Sequence, residues 1–358
     1  MQFLVNMGFL ITIIVLAIIF DFINGFHDAA NSIATVVSTR VLSPTQAVIW
    51  SAFFNFVAFF IAEYILGFNI ANTVQKTVEE ASVTLPLLIA GLIAAITWSL
   101  ITWWKGIPSS SSHTLIGGLT GAAIAAKGWD AVHWSTVGYI AMFIFFAPLI
   151  GFIAGNLITI LLYWIARKAK PHKADKWFKR LQLLSSACLS IGHGLNDSQK
   201  EIGLIACAMV AYGTQFGFEG LNEWLLPDTI TNADTSANLT GAPSWIPIAC
   251  ITAIAIGTMS GGWKIIKTMG NRITKITPVE GFCSQTAGAI TLFITQHLGV
   301  PVSTTHVISG SIMGVGSIKR LSAVRWGVTL ELIVAWIITI PISAAIGMIA
   351  YYAMALFM

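Results

Sequence analysis

Apolar stretches recur along this chain at lengths that suit a bilayer better than a water-soluble core. They fall near 7–24, 46–66, 85–104, 111–126, 136–165, 184–212, 246–258, 281–298, 305–316 and 326–357. About 20 apolar residues span the hydrocarbon region as a helix, so most of these are full crossings, while 246–258 and 305–316 are short. The pattern predicts an all-α polytopic membrane protein with about 10–12 membrane segments. The first stretch lacks a basic leading region and a small-residue cleavage site, and it runs straight into polar residues. It is expected to be retained as a span rather than removed as a signal peptide.

Two polar interruptions match each other. Residues 106–121 read GIPSSSSHTLIGGLTG and residues 299–314 read GVPVSTTHVISGSIMG. Aligning Pro108 with Pro301 brings Ser110 onto Ser303, His113 onto His306, Gly117 onto Gly310 and Gly121 onto Gly314. Pro is accepted in the first turn of a helix and cannot continue one from behind. Each copy therefore predicts a broken membrane segment whose new helix starts inside the bilayer. The hydroxyl run then lies where free backbone N–H groups point at a ligand, the usual setting for an anion. His113 and His306, following the runs, are expected to brace the hairpins.

Composition sharpens this picture. Hydrophobic residues make up 56% of the 358 positions, charged residues 9%, and the mean hydropathy is +0.80. That balance rules out an ordinary soluble domain. It also removes nucleic acid as a reading of the +4 net charge, because the basic residues are spent on topology. Cys188, Cys207, Cys250 and Cys283 lie singly in apolar segments without a Cys-x-x-Cys and are read as packing residues.

The basic run at 166–180, ARKAKPHKADKWFKR, holds seven Lys/Arg against one Asp. Under the positive-inside rule it is cytoplasmic. Working outward from it leaves 15 of the 19 basic residues in four inner segments, with only Lys76 and Lys127 in outer loops. Both termini then lie outside, in a cell (plasma) membrane. One hairpin, 85–126, dips in from outside and the other, 281–316, from inside. This divides the chain into a first repeat at 1–165, a basic cytoplasmic linker at 166–182 and a second repeat at 183–358. The arrangement is two inverted-topology repeats with broken helices and two re-entrant helical hairpins, an architecture of secondary transporters. Asn238-Leu239-Thr240 fits a glycosylation sequon in an outer loop, of the kind that bacterial-looking motifs leave unused.

Intramembrane carboxylates are costly, so each needs a role. Residues 21–35 read DFINGFHDAANSIAT and 190–204 read SIGHGLNDSQKEIGL. Aligning Asp28 with Asp197 sets Gly25 on Gly194, His27 on Asn196, Asn31 on Lys200 and Ile33 on Ile202. Asp28 and Asn31 share a helix face, as do Asp197 and Lys200. A buried carboxylate paired with an amide or a lysine holds helices together. Two pseudo-symmetric copies beside two hydroxyl-rich hairpins point instead to a ligand site. His193 is open to either a proton relay or packing. Glu201 and Gln199 adjoin the second motif without a matching repeat partner.

These four motifs, in this order, resemble the PiT family of inorganic phosphate transporters, and the resemblance spans essentially the whole chain. That family includes animal sodium–phosphate symporters and bacterial low-affinity phosphate transporters. The resemblance implies a phosphate site between the repeats, contacted by the hydroxyls of Ser110, Ser111, Ser112, Thr114, Ser303, Thr304 and Thr305. It implies coupling cations at Asp28 and Asp197, with Asn31 and Asn196 as further oxygen ligands.

Electrostatics gives this a mechanism. Two unit charges 4 Å apart interact by about 4 kcal/mol at an effective dielectric near 20. Phosphate beside two ionised aspartates is repelled unless a proton, a sodium ion or a metal accompanies it. Sodium-dependent relatives commonly carry Asn before the Asp and Asn three residues after it in both motifs. Here His27 precedes Asp28, and Lys200 takes the place of an Asn. These departures resemble the proton-coupled, metal-phosphate-carrying branch. Lys200 and His27 are assigned charge compensation or proton relay, and Asp28 and Asp197 double as ligands of a divalent metal travelling with phosphate.

The expected function is thus proton-coupled phosphate symport by alternating access. Sodium-coupled phosphate symport and a sulfate permease of the same family are the nearest rivals. An intramembrane Ser/His enzyme is the rival of another class, and it has no oriented carboxylate near its Ser110–His113 spacing. No cofactor is called for beyond the coupling cation. The partners are phosphate, the cation and the lipid bilayer, with a homodimer left open.

Overall fold

The computed structural model describes residues 2–66, 76–217, 245–300 and 302–356. Pro301, most of the acidic outer loop expected at 213–245, the sequon at Asn238 and part of the loop at 67–84 lie outside the described residues. Regular structure among the described residues is helical: α1 Gln2–Ser38, α2 Pro44–Ile61, α3 Leu85–Lys105, α4 Ser111–Lys127, α5 Trp134–Ala166, α6 Pro171–Phe216, α7 Trp245–Ser260, α8 Trp263–Lys267, α9 Pro278–His297, α10 Thr304–Ser317 and α11 Trp326–Ala355. Five of these (α1, α2, α3, α5 and α11) are long and apolar enough to cross a membrane alone. A sixth crossing forms if α7 and the segment Trp263–Arg272, bent by 65° at residues 261–262, count together.

Two helices exceed their expected bounds. The apolar stretch at 7–24 belongs to a 37-residue helix, α1, that carries the first acidic motif in its interior and is about 55 Å long. The stretch at 184–212 belongs to the 46-residue α6, which begins at Pro171. Most of the basic linker is therefore helix. Pro171 occupies the first turn, where its missing N–H costs nothing. Lys, Ala, Trp, Phe, Arg, Leu and Gln follow without a breaker, and Lys179 pairs with Asp175 at 2.8 Å across one turn.

Apolar side chains lie both inside and on the outer surface. Leu149, Ile153, Leu157 and Leu161 on α5 and Leu330, Val334 and Ile337 on α11 face outward, toward lipid. Asp21, Asn24, Asp28 and Asn31 form one stripe along α1, at spacings of three and four residues, and all are buried.

The two hairpins are α3–α4 and α9–α10. Each turns at a glycine in the left-handed region, Gly106 (φ 70°) and Gly299 (φ 66°), which a side chain would strain. Each second helix is then capped by a serine. Ser110 Oγ accepts from His113 N–H at 3.3 Å, and Ser303 Oγ accepts from His306 N–H at 3.2 Å.

Packing crosses between the halves. The first hairpin's α4 lies on α11, at the far end of the chain, and the second hairpin's α10 lies on α5. Likewise α1 packs on α7 and α6 packs on α2. Glycines make these approaches possible. A Cβ on Gly310 would meet Pro148 O at 2.1 Å, and one on Gly121 would meet Ala344 O at 1.8 Å.

Candidate substrate and cation site

The crossing brings both hairpin tips to the two acidic motifs. Asn31 of α1 reaches the second hairpin, its Nδ2 donating to Thr304 Oγ1 and to Thr305 Oγ1, each at 3.0 Å. Lys200 of α6 reaches the first hairpin and donates to Ser111 Oγ at 3.3 Å, while its ammonium also pairs with Asp197. Asn31 aligns with Lys200, and Ser111 aligns with Thr304. The two contacts are therefore the same contact made once from each half.

The aspartates lie between the tips. The Thr304 hydroxyl is 3.5 Å from Asp28 Oδ2 and 3.5 Å from Asp197 Oδ2. His193 stands one turn before Asp197, with Nε2 3.0 Å from Asp197 Oδ2. One ligand atom from each of Asp28, His193 and Asp197 falls within 4.8 Å of the others. At that separation two carboxylates repel by about 3–4 kcal/mol at an effective dielectric of 20. The arrangement selects for positive charge between them, whether supplied by Lys200, a protonated histidine or a bound cation. Three such side chains are also a donor set for a divalent ion.

A second chain of contacts runs from Asp28 into the first hairpin. His27 Nδ1 is 2.8 Å from Asp28 Oδ1 and its Nε2 is 3.1 Å from Thr102 Oγ1. Thr102 Oγ1 is in turn 3.0 Å from Ser109 Oγ. Thr305 Oγ1 donates to Ser109 O at 3.2 Å, which links the two tips directly. The first two residues of α4 (Ser111, Ser112) and of α10 (Thr304, Thr305) have N–H groups without an intrahelical acceptor. Four such donors beside a cluster of hydroxyls form an anion cradle.

Not every residue singled out in the sequence faces this cluster. Ser110 and Ser303 are the helix caps. The Thr114 hydroxyl donates to Ser110 O at 2.7 Å and is spent within its own helix. The Ser112 hydroxyl is buried without a hydrogen-bond partner. Asn196 turns away: its Nδ2 donates to Gly192 O at 3.0 Å and Leu292 O at 3.4 Å. His113 and His306 stack with ring centroids 5.0 Å apart, and His306 stacks on Trp336 at 4.2 Å.

Other residues enter the site without a sequence signal of their own. Asn55 of α2 accepts from His193 Nδ1 at 3.3 Å and donates to Thr258 Oγ1 at 2.9 Å. The packing behind it is close: a Cβ on Gly194 would lie 2.8 Å from Asn55 O. Thr102 is likewise fixed by the hairpin's path, whereas Ser109 opens the hydroxyl run that the sequence itself marks. Of the rest, only His193, four residues before Asp197 and so on the same face, was recognisable in advance.

The first tip is held from one side by the bent segment after α7. Thr268 Oγ1 donates to Gly106 O at 3.0 Å and Lys264 Nζ donates to Trp104 O at 2.9 Å.

Comparison with known proteins agrees with this geometry. The sequence profile of the phosphate transporter family matches residues 24–347, a span that contains Asp28, Asp197 and both hairpins. A probable low-affinity inorganic phosphate transporter of Rhizobium meliloti is 44% identical over 345 residues, covering 96% of each chain. A protein of the same description from Bacillus subtilis is 42% identical over 348 residues, again covering 96% of each. A solved structure described as the sodium-dependent phosphate transporter superposes with a TM-score of 0.80 at 25% identity, covering 98% of this chain and 100% of that one. With its fold, its paired motifs and its relatives in agreement, this multi-pass membrane chain belongs to the phosphate transporter family and is a transporter, not an enzyme.

Proposed function

We propose that this protein is a symporter that moves inorganic phosphate together with protons, by alternating access between two inverted-topology repeats. One observation carries the reading: Asn31 and Lys200 make the same contact from opposite halves, each onto the hairpin tip of the other half, with Asp28 and Asp197 between. Phosphate held by Ser111, Thr304, Thr305 and the free N–H groups of both tips sits against two carboxylates. It binds well only when their charge is offset, so anion and cation load together. Rocking the halves about this shared site then exposes it to either side.

Protons suit this chain for two reasons. The Lys200 side chain already pairs with Asp197, so this half-site has a basic partner of its own. His27 faces Asp28 with one ring nitrogen and Thr102 with the other. Thr102 Oγ1 is also within hydrogen-bonding distance of Trp98 O and Ser109 Oγ, so His27 links Asp28 to the hydroxyls of the first hairpin. The Asp28, His193 and Asp197 trio supports a divalent metal entering with phosphate as cargo. The basic start of α6 and the basic residues around α8 support a plasma-membrane orientation with cytoplasmic linker and external termini.

The test is labelled phosphate uptake into proteoliposomes under a proton gradient and a sodium gradient, imposed separately. Uptake is expected under the proton gradient without sodium, to be competed by arsenate and not by sulfate, and to be lost in Asp28→Asn and Asp197→Asn. A strict sodium requirement would overturn proton coupling, and competition by sulfate would overturn the substrate.

A further inference from the structure

A second pair of acidic side chains lies outside the cluster just described. Asp21 of α1 and Glu201 of α6 are both fully buried, on helices that pack together, and lie close enough for their charges to act on each other. No described side-chain N–H or O–H donates a well-formed hydrogen bond to any of the four oxygens. The other groups facing the pair are Cys250 of α7, beside Asp21, and Lys200 and Asp197 of α6. Lys200 is committed to Asp197 and Ser111. Asp21 is seven residues from Asp28 and Glu201 is four from Asp197, so the pair sits about 6–10 Å along the helices from the first cluster. It lies toward the start of α1 and the end of α6.

Asn24 supplies an independent sign that this region handles a ligand. It stands between Asp21 and Asp28 on the same buried stripe of α1, 1% exposed, and both its amide atoms lack a hydrogen-bond partner. A buried amide without partners is expensive. Here it offers a donor and an acceptor on the path between the two acidic sites. The pair also breaks the pseudo-symmetry of the chain. In the alignment that sets Asp28 on Asp197, Asp21 falls on Ser190 and Glu201 on Ser32. Ser190 is satisfied by Ser51 at 3.0 Å and Ser186 O at 2.9 Å. The Ser32 hydroxyl is buried without a partner, so the symmetry-related position is polar but uncharged, and the acidic pair exists on one side only.

We propose that Asp21 and Glu201 form a proton-binding site distinct from the Asp28–Asp197 cluster, and that its proton is exchanged as phosphate binds and leaves. A proton on one of these buried, unpartnered carboxyl groups removes a charge from the interior and supplies a donor where there is none. This rests on the symport reading above but is separable from it.

The full-length protein in detergent would be titrated with phosphate by calorimetry, in buffers of different ionisation heat, to count protons taken up per phosphate bound. Wild type is expected to take up protons, while Glu201→Gln and Asp21→Asn each lose at least about half of that uptake and keep phosphate affinity within about threefold. Unchanged proton uptake in both variants overturns the proposal. So does a loss of affinity beyond about tenfold in both, which would make the pair part of the anion site. Infrared spectra followed with pH need neither phosphate nor transport. The protonated-carboxyl stretch of wild type must weaken in Glu201→Gln and persist in Glu201→Asp. A band that survives Glu201→Gln, or one that responds to sodium rather than to pH, sinks the site. If wild type binds no phosphate but shows this band, the substrate reading has failed and the proton site stands.

Discussion

The two halves build the same contact with different charge. On α6, Asp197 meets both Lys200 and His193, so that half-site carries its own counter-charge permanently. On α1, Asp28 meets His27, and the residue three positions on, Asn31, is neutral and spends its amide on Thr304 and Thr305. One aspartate therefore faces a lysine and a histidine, the other a histidine alone. The two matching motifs thus differ in charge at one aligned position, lysine against amide.

The largest expected effect comes from removing the built-in charge. Lys200→Met leaves Asp197 buried and short of a partner, a change worth about 3–5 kcal/mol of stability. Thermal unfolding in detergent should register it as a loss of many degrees, with phosphate uptake abolished. A Tm within a degree or two of wild type would mean that the ammonium is not what balances the site.

A subtler break is Lys200→Asn, which gives the second half-site the residue of the first. This variant is expected to acquire a need for a supplied cation. Saturating sodium, or acid, should raise its stability by up to about 2–3 kcal/mol while wild type barely responds. Equal responses in the two proteins would erase the distinction between the half-sites.

Asp28→Asn and Asp197→Asn should separate in stability even though both stop uptake. The first loses a histidine contact, at about 1–2 kcal/mol, whereas the second strands Lys200 in the interior at about 3–5 kcal/mol. Similar unfolding temperatures would contradict the asymmetry. Smallest of all, Ser110→Ala and Ser303→Ala each remove one helix cap and should cost about 1 kcal/mol, equally in both halves, because the caps are a symmetric feature. Paired unfolding curves would check this.

Much of this was legible in the chain because it is written twice. The hairpin breaks at Gly106 and Gly299 and the aligned aspartates are local patterns, and repetition raises them above background. What could not be read is which copy touches which. Asn31 and Thr304 are 273 positions apart, and nothing in either motif says that each reaches across to the other half's hairpin. Asn196 looked like a ligand by its place beside Asp197, yet one step along a helix rotates a side chain by about 100° and aims this one at α9. The continuity of α6 was hidden by its charge: Lys and Arg mark topology in a membrane protein but are also good helix formers. Asp21 and Glu201 were obscured because they have no counterpart in the other copy.

The crossed packing of the hairpins has a consequence for how the protein is made. Helix α4 lays Gly117 and Gly121 against α11, which begins about 200 residues later in the chain. During synthesis the first hairpin must enter the membrane with its glycine face uncovered and wait there until the last helix arrives. In each hairpin the first helix packs within its own half, on α1 or α6, while the second helix finds its surface in the other half. Expressed as two separate polypeptides, cut within the basic segment before α6, the halves should be degraded singly and recovered together. The molecule's assembly is thus as interlocked as its site, and the thirty-residue α11 acts as the clasp.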